Sequence, residues 1–81
     1  MKSSDEARTI SRERVVNKLR ELGYTFKERK KCIEIWRKAG STHRVLLDTR
    51  KQLSPLYVRG TFMCCKVPAD EIEAFVTQNL M

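Results

Sequence analysis

The chain of 81 residues contains few of the residues that interrupt or cross-link a polypeptide, with three glycines, two prolines and three cysteines. It also lacks any run approaching the roughly 18 apolar residues that a membrane-spanning helix requires. Its first ten residues, MKSSDEARTI, have no apolar stretch after the single lysine and do not form a secretory signal. These absences predict a soluble, cytoplasmic protein that does not bind a membrane.

The length allows one small domain. The polar start of the chain predicts a flexible leader over residues 1–9, because regular apolar spacing begins only at Ile10. A single domain is therefore expected over residues 10–81. The apolar content of 41% is enough for a modest core, although 33% of the residues are charged.

The three cysteines do not form a disulfide framework, because their number is odd and Cys64 and Cys65 are adjacent. Together with His43 they would supply the four ligands of a zinc site, but their spacing matches no zinc finger. The sequence instead predicts that Cys32, Cys64 and Cys65 are buried thiols that act as small hydrophobic side chains. Neither a metal nor a cofactor is expected.

The formal net charge of +7 is distributed unevenly. Residues 27–51 carry +6, whereas residues 67–81 carry −3. A concentrated basic segment is typical of proteins that bind a polyanion such as RNA. The same pattern also fits a solvated basic face that has no partner, so charge alone leaves both interpretations open.

The first regular element is an amphipathic helix over residues 12–22. Ser11 is a favourable N-cap, and Val15, Leu19 and Leu22 follow at helical spacing. Gly23 supplies the left-handed residue that commonly ends a helix. Two further helices are expected in the C-terminal half, the first from Ser54-Pro55 to Cys65 and the second after Pro68.

The middle of the chain favours β-structure. Residues 32–37 alternate in polarity, residues 42–48 are rich in β-branched and apolar side chains, and Ala39-Gly40-Ser41 between them is typical of a turn. This pattern predicts an antiparallel hairpin. Residues 24–26 favour a short extended piece before a basic run over residues 27–31, and residues 48–52 leave a short third strand open.

The element order α-β-β-(β)-α-α predicts an α+β sandwich, in which the helices cover one face of an antiparallel sheet. His43, the only histidine, lies just past the predicted hairpin turn and inside the basic segment. A histidine there can exchange protons near neutral pH with a ribose 2′-hydroxyl, while nearby cations hold the phosphate. The alternative is that His43 is only a polar strand residue.

The segment Gly40-Ser41-Thr42-His43, between a helix that ends at Gly23-Tyr24 and a helix capped by Ser54-Pro55, resembles the active-site segment of HicA-type toxins. These are small basic mRNA interferases with a fold like that of double-stranded-RNA-binding domains. The similarity covers about residues 11–76. It implies that His43 is catalytic, that Gly40 and Ser41 form the active-site turn, and that a HicB-type antitoxin is the protein partner.

The leading hypothesis is therefore the toxin component of a type II toxin–antitoxin system, a metal-independent endoribonuclease that cleaves mRNA with one catalytic histidine. The basic residues expected to contact RNA phosphates are Lys30, Lys31, Arg37, Lys38 and Arg44. One alternative is a non-catalytic RNA-binding module of the same fold. Another is that the basic face docks an acidic protein and has no role with RNA.

Overall fold

A computed structural model of the protein describes residues 8–80. The three helices are α1 (Arg12–Glu21), α2 (Pro55–Cys64) and α3 (Ala69–Asn79). The five strands are β1 (Ile10–Ser11), β2 (Tyr24–Lys30), β3 (Ile33–Lys38), β4 (Arg44–Asp48) and β5 (Gln52–Leu53). Most of the predicted leader, together with Met81, lies outside the described residues. Thr9, at the leader's end, hydrogen-bonds to the Gln52 side chain across 2.5 Å.

The main sheet is antiparallel and has the strand order β2-β3-β4. Strand β3 lies in the centre, so β2 and β4 each have a free edge. The short strands β1 and β5 form a separate antiparallel pair, in which Ile10 lies opposite Leu53. Ile10 also forms a bridge to Leu80 at the end of α3, which ties both ends of the described chain together.

Only one face of the main sheet is covered within residues 8–80. Tyr24, Trp36, Val45 and Leu47 are buried and belong to one hydrophobic cluster with side chains from all three helices. Trp36 and Val45 lie directly opposite each other in register, which places them on the same face. The structure is therefore the small α+β domain that the sequence predicts, with the helices packed on one face of an antiparallel sheet.

Arg12 connects the start of α1 to the sheet. Its Nε donates to the carbonyl of Asp48 across 2.9 Å, and its guanidinium pairs with Glu34. The same Glu34 carboxylate accepts from the Trp36 indole N–H across 3.1 Å. Glu34 is thus a partly buried charge with two partners, which offsets the cost of removing it from water.

The predicted boundaries of the first helix and of the hairpin are confirmed. Helix α1 ends one residue before the predicted boundary, with Leu22 as its C-cap and Gly23 at φ +93°. The predicted hairpin is formed by β3 and β4, and helix α2 begins at the Ser54-Pro55 signal. The Ser54 hydroxyl accepts from the Tyr57 N–H across 3.1 Å, as an N-cap does.

Strand β2 corrects two other predictions. The extended piece does not stop before the basic run, because Tyr24–Lys30 forms one strand that pairs with β3, with a bulge between Phe26 and Glu28. The third strand of the main sheet therefore precedes the hairpin, and the short strand after it pairs with β1 instead. Charged residues are tolerated along β2 because it is an edge strand, exposed except at its first residue.

The prediction that all three cysteines are buried is wrong. Cys32 is exposed in the two-residue turn between β2 and β3, and Cys64 is exposed on α2. Only Cys65, at the C-cap of α2, is partly buried. The reason is positional, since a hairpin turn and an outer helix face keep a side chain in water whatever its polarity.

Gly60 and Gly23 should respond to alanine with opposite signs. Gly60 lies inside α2, and a Cβ added there would have no atom within 4 Å, so Gly60→Ala should raise the free energy of unfolding by about 0.5–1 kcal/mol. Gly23 has φ +93°, so Gly23→Ala should lower it by about 1 kcal/mol. Urea denaturation followed by circular dichroism measures both. A stabilised Gly23→Ala protein would contradict the assignment.

Candidate functional site

His43 lies between the hairpin turn and β4, with its ring turned toward the helical side of the sheet. Its backbone N–H donates to the Ser41 hydroxyl across 3.1 Å, and its carbonyl accepts from the Lys38 N–H across 3.3 Å. The ring meets Tyr24 edge to face, with the centroids 6.0 Å apart. These contacts hold the ring in one place, because the backbone on both sides of the turn is fixed.

The Nε2 atom of His43 is buried and has no hydrogen-bond partner among residues 8–80. A buried polar atom without a partner is costly unless a ligand or water satisfies it. A cleft of about 440 Å³ adjoins the ring, and its polar lining includes Lys38, Ser41, Lys66 and Glu71. The cleft therefore places a proton-exchanging ring beside two cations and one carboxylate.

Tyr24 and Cys65 line the same cleft and hold each other in the neutral form. Burial, followed by the hydrogen bond to Cys65, raises the pKa of Tyr24 to about 12. Burial also raises the pKa of the Cys65 thiol, although its bond to Tyr24 acts in the opposite direction. Neither group is ionised at neutral pH, so both act as hydrogen-bonding groups there and not as nucleophiles.

The structure separates the basic residues that the sequence groups as phosphate contacts. Lys38 lies with His43 and Ser41 at the cleft, and the adjoining turn contains Gly40 at φ +75°. The paired arginines of β3 and β4 lie instead on the face of the sheet that the helices leave open. The predicted phosphate contacts therefore do not form one site.

A second basic cluster lies on the open face of the sheet, and we call it the open-face cluster. Its members are the cations that line one shallow depression together with Glu28, Ile35 and Thr42, namely Lys27, Lys30, Arg37 and Arg44. Glu28 lies 3.8 Å from Lys30, whereas Arg37 and Arg44 have no ion pair with any residue from 8 to 80. Lys31 lies outside this depression, in the turn between β2 and β3. The open-face cluster is thus predominantly cationic.

Sequence reasoning missed Tyr24, Cys65, Lys66 and Glu71 as neighbours of His43. These residues come from β2, the end of α2 and the first turn of α3, and no spacing along the chain connects them to the hairpin. Only the tertiary packing brings them together. Lys27 was missed as a phosphate contact because a run of charged residues gives no sign of which face each side chain occupies.

No three side chains among His, Cys, Asp and Glu come close enough to hold a metal ion in the described part of the chain. Within residues 8–80, no helix has the length and apolar content needed to cross a membrane. Comparisons with protein-family models, with curated proteins and with solved structures gave no match to this chain. The resemblance to HicA-type toxins therefore rests on the motif residues alone.

The raised pKa of Tyr24 gives a prediction for alkaline pH. The phenol ionises near pH 10 in the unfolded chain and near pH 12 in the fold, so the neutral form favours folding. This contribution, up to about 3 kcal/mol, is complete below pH 10 and is lost as the pH rises to 12. Urea midpoints from about pH 9 to 11.5 should fall less steeply for Tyr24→Phe than for the wild type.

Parallel slopes for the two proteins would contradict this account of Tyr24. Tyr57→Phe serves as the matched control, because it removes a phenol that does not line the His43 cleft. Ultraviolet absorbance of the tyrosinate adds an independent measurement. The titration step near pH 12 should disappear in Tyr24→Phe and remain in the control.

Proposed function

We propose that this protein binds RNA through the open-face cluster. The observation that supports the proposal is the position of Arg37 directly opposite Arg44 on neighbouring strands. Like charges in this position repel each other and destabilise a sheet, and neither guanidinium is neutralised within residues 8–80. A phosphate group bound between them would remove the repulsion and form two charge-assisted hydrogen bonds.

The other residues on this face favour contacts with the RNA backbone. Ile35 and the partly exposed Leu46 lie between the cations, and the described strands place no aromatic side chain there. Phe26 is exposed, but its ring packs edge to face on Trp36 of the covered face. Without a stacking platform, binding should depend on phosphates and show little preference among bases.

Replacing both arginines tests this proposal. Arg37→Gln combined with Arg44→Gln should weaken RNA binding and reduce its dependence on salt, because each lost phosphate contact releases fewer counterions. For single-stranded RNA the slope of log K against log salt should become shallower by about 1.4. Fluorescence anisotropy with a labelled RNA, measured between about 50 and 200 mM salt, gives both quantities.

The control carries the same change in net charge at a different place. Arg14→Gln combined with Lys51→Gln removes two exposed cations that do not line the depression, and its salt slope should stay near that of the wild type. Equal slopes for the two double variants would show that net charge, and not the open-face cluster, governs binding. A DNA strand of the same sequence tests whether the ribose contributes.

A second candidate function is endoribonuclease activity at the His43 cleft. The specific observation that favours it is the unpartnered Nε2 atom beside a cleft lined by Lys38 and Lys66. In this proposal the protein is a cytoplasmic HicA-type toxin whose substrate is mRNA and whose protein partner is a HicB-type antitoxin. This part of the proposal draws on the resemblance of residues 40–43 to that family.

The chemistry requires a neutral His43 ring in contact with the RNA. Nε2 would accept the proton of a 2′-hydroxyl as its oxygen forms a bond to the adjacent phosphorus, and the bond to the 5′-oxygen would break. Lys38 and Lys66 would offset the charge that develops on the phosphate. The leaving oxygen would take a proton from water or from a group that lines the cleft, such as Glu71.

Replacing His43 separates cleavage from binding. His43→Ala should abolish both RNA cleavage and the growth arrest caused by expression, while Thr42→Ala, at the exposed neighbouring position, should retain both. Gel analysis of a long RNA after incubation with each protein provides the measurement. If wild-type protein produces no fragments, the endoribonuclease proposal fails and the RNA-binding proposal is unaffected.

A further inference from the structure

Strand β4 has a partly unoccupied edge. The Lys38 N–H bonds to the carbonyl of His43, so the backbone groups of alternate residues from His43 to Leu47 face β3. Those of Arg44, Leu46 and Asp48 face outward. The Tyr57 hydroxyl accepts from the Asp48 N–H across 2.9 Å and donates to the Leu46 carbonyl across 3.3 Å. The N–H and carbonyl of Arg44 and the N–H of Leu46 remain available.

A groove runs beside this edge, between β4 and α2. Its walls include Leu46 and Val45 on the strand and Leu56, Gly60 and Cys64 on the helix. Leu46 is 52% exposed and Leu56 is 77% exposed, which is unusual for large apolar side chains on a small domain. Gly60 presents only backbone to the groove, and a Cβ added there would have no atom within 4 Å.

Among the described residues, Arg44 is the only charged one that lines the groove. It forms no ion pair with any of residues 8–80, and α2 carries no carboxylate that could face it. A ligand that fits here must therefore be mostly apolar, must offer backbone hydrogen bonds to the β4 edge, and must place a negative charge at the Arg44 end. A nucleic acid does not meet the first condition.

We propose that the groove binds an extended segment of a partner protein, which adds as a fourth strand to the edge of β4. The segment has apolar side chains at alternate positions and an acidic residue that pairs with Arg44, and α2 supports it from below through Gly60. A second copy of this chain fits less well. Its own α2 flanks the same edge, so two-fold pairing would bring both helices into one space.

The probe for this proposal is a labelled hexapeptide of alternating valine and threonine with one terminal aspartate. Nuclear magnetic resonance titration should shift the backbone amides of Arg44 and Leu46 and the signals of α2 near Gly60. A peptide with lysine in place of aspartate should bind about fivefold more weakly, in keeping with the strength of one exposed ion pair. The proposal is independent of RNA binding.

Gly60→Leu provides the decisive variant, because leucine favours the helix and fills only open space. It should reduce peptide affinity at least about tenfold, as expected when a bulky side chain enters the groove. Its thermal stability should not fall below that of the wild type. Met63→Lys is the matched control, since Met63 is 68% exposed on the same helix but does not line the groove.

Four results would each overturn the proposal. They are the absence of shifts at millimolar peptide, equal affinity for the aspartate and lysine peptides, unchanged affinity of Gly60→Leu, and shifts confined to the His43 cleft. Sedimentation velocity of the protein alone addresses the remaining occupant. A concentration-dependent dimer that Gly60→Leu abolishes would assign the groove to a second copy and would also overturn it.

Discussion

Burial on one face of the sheet is the constraint on which the rest of the structure depends. A helical layer covers the face that carries Trp36, and nothing in the described chain covers the other. Because successive side chains of a strand point to opposite faces, this single fact assigns every residue of β3 to the core or to the open face. The Arg12–Glu34 pair and the Trp36 indole fix that assignment with directional contacts. A slip of one residue would bury Arg37 and expose Trp36.

This constraint explains why adjacent basic residues do not form one site. Arg37 and Lys38 are neighbours in the sequence, but the alternation sends Arg37 to the open face and Lys38 to the cleft beside His43. The charge of +6 over residues 27–51 is therefore a sum over two surfaces. The sequence alone indicates how much charge is present, whereas the sheet determines how many phosphates it can reach from one side.

The elements predicted well from sequence are those in which a local signal and the tertiary burial agree. Val15 and Leu19 follow helical spacing and are fully buried, and Ser54-Pro55 begins a helix because capping is local chemistry. Strand β2 was predicted poorly because an edge strand needs little apolar content, so its charged residues are also compatible with a loop. The cysteines failed for a related reason, since residue type does not determine exposure at a turn.

The candidate site was predictable only in part. His43 and Ser41 could be found because they are neighbours in sequence, but Tyr24 and Cys65 reach the cleft from distant segments. The hairpin turn joins the two candidate surfaces, because Ser41 lines the cleft and Thr42 lines the depression of the open-face cluster. An RNA strand held by Arg37 and Arg44 would have to cross this turn to present a ribose to His43. Gly40, with its positive φ and open surroundings, leaves the turn without a side chain that would obstruct that path.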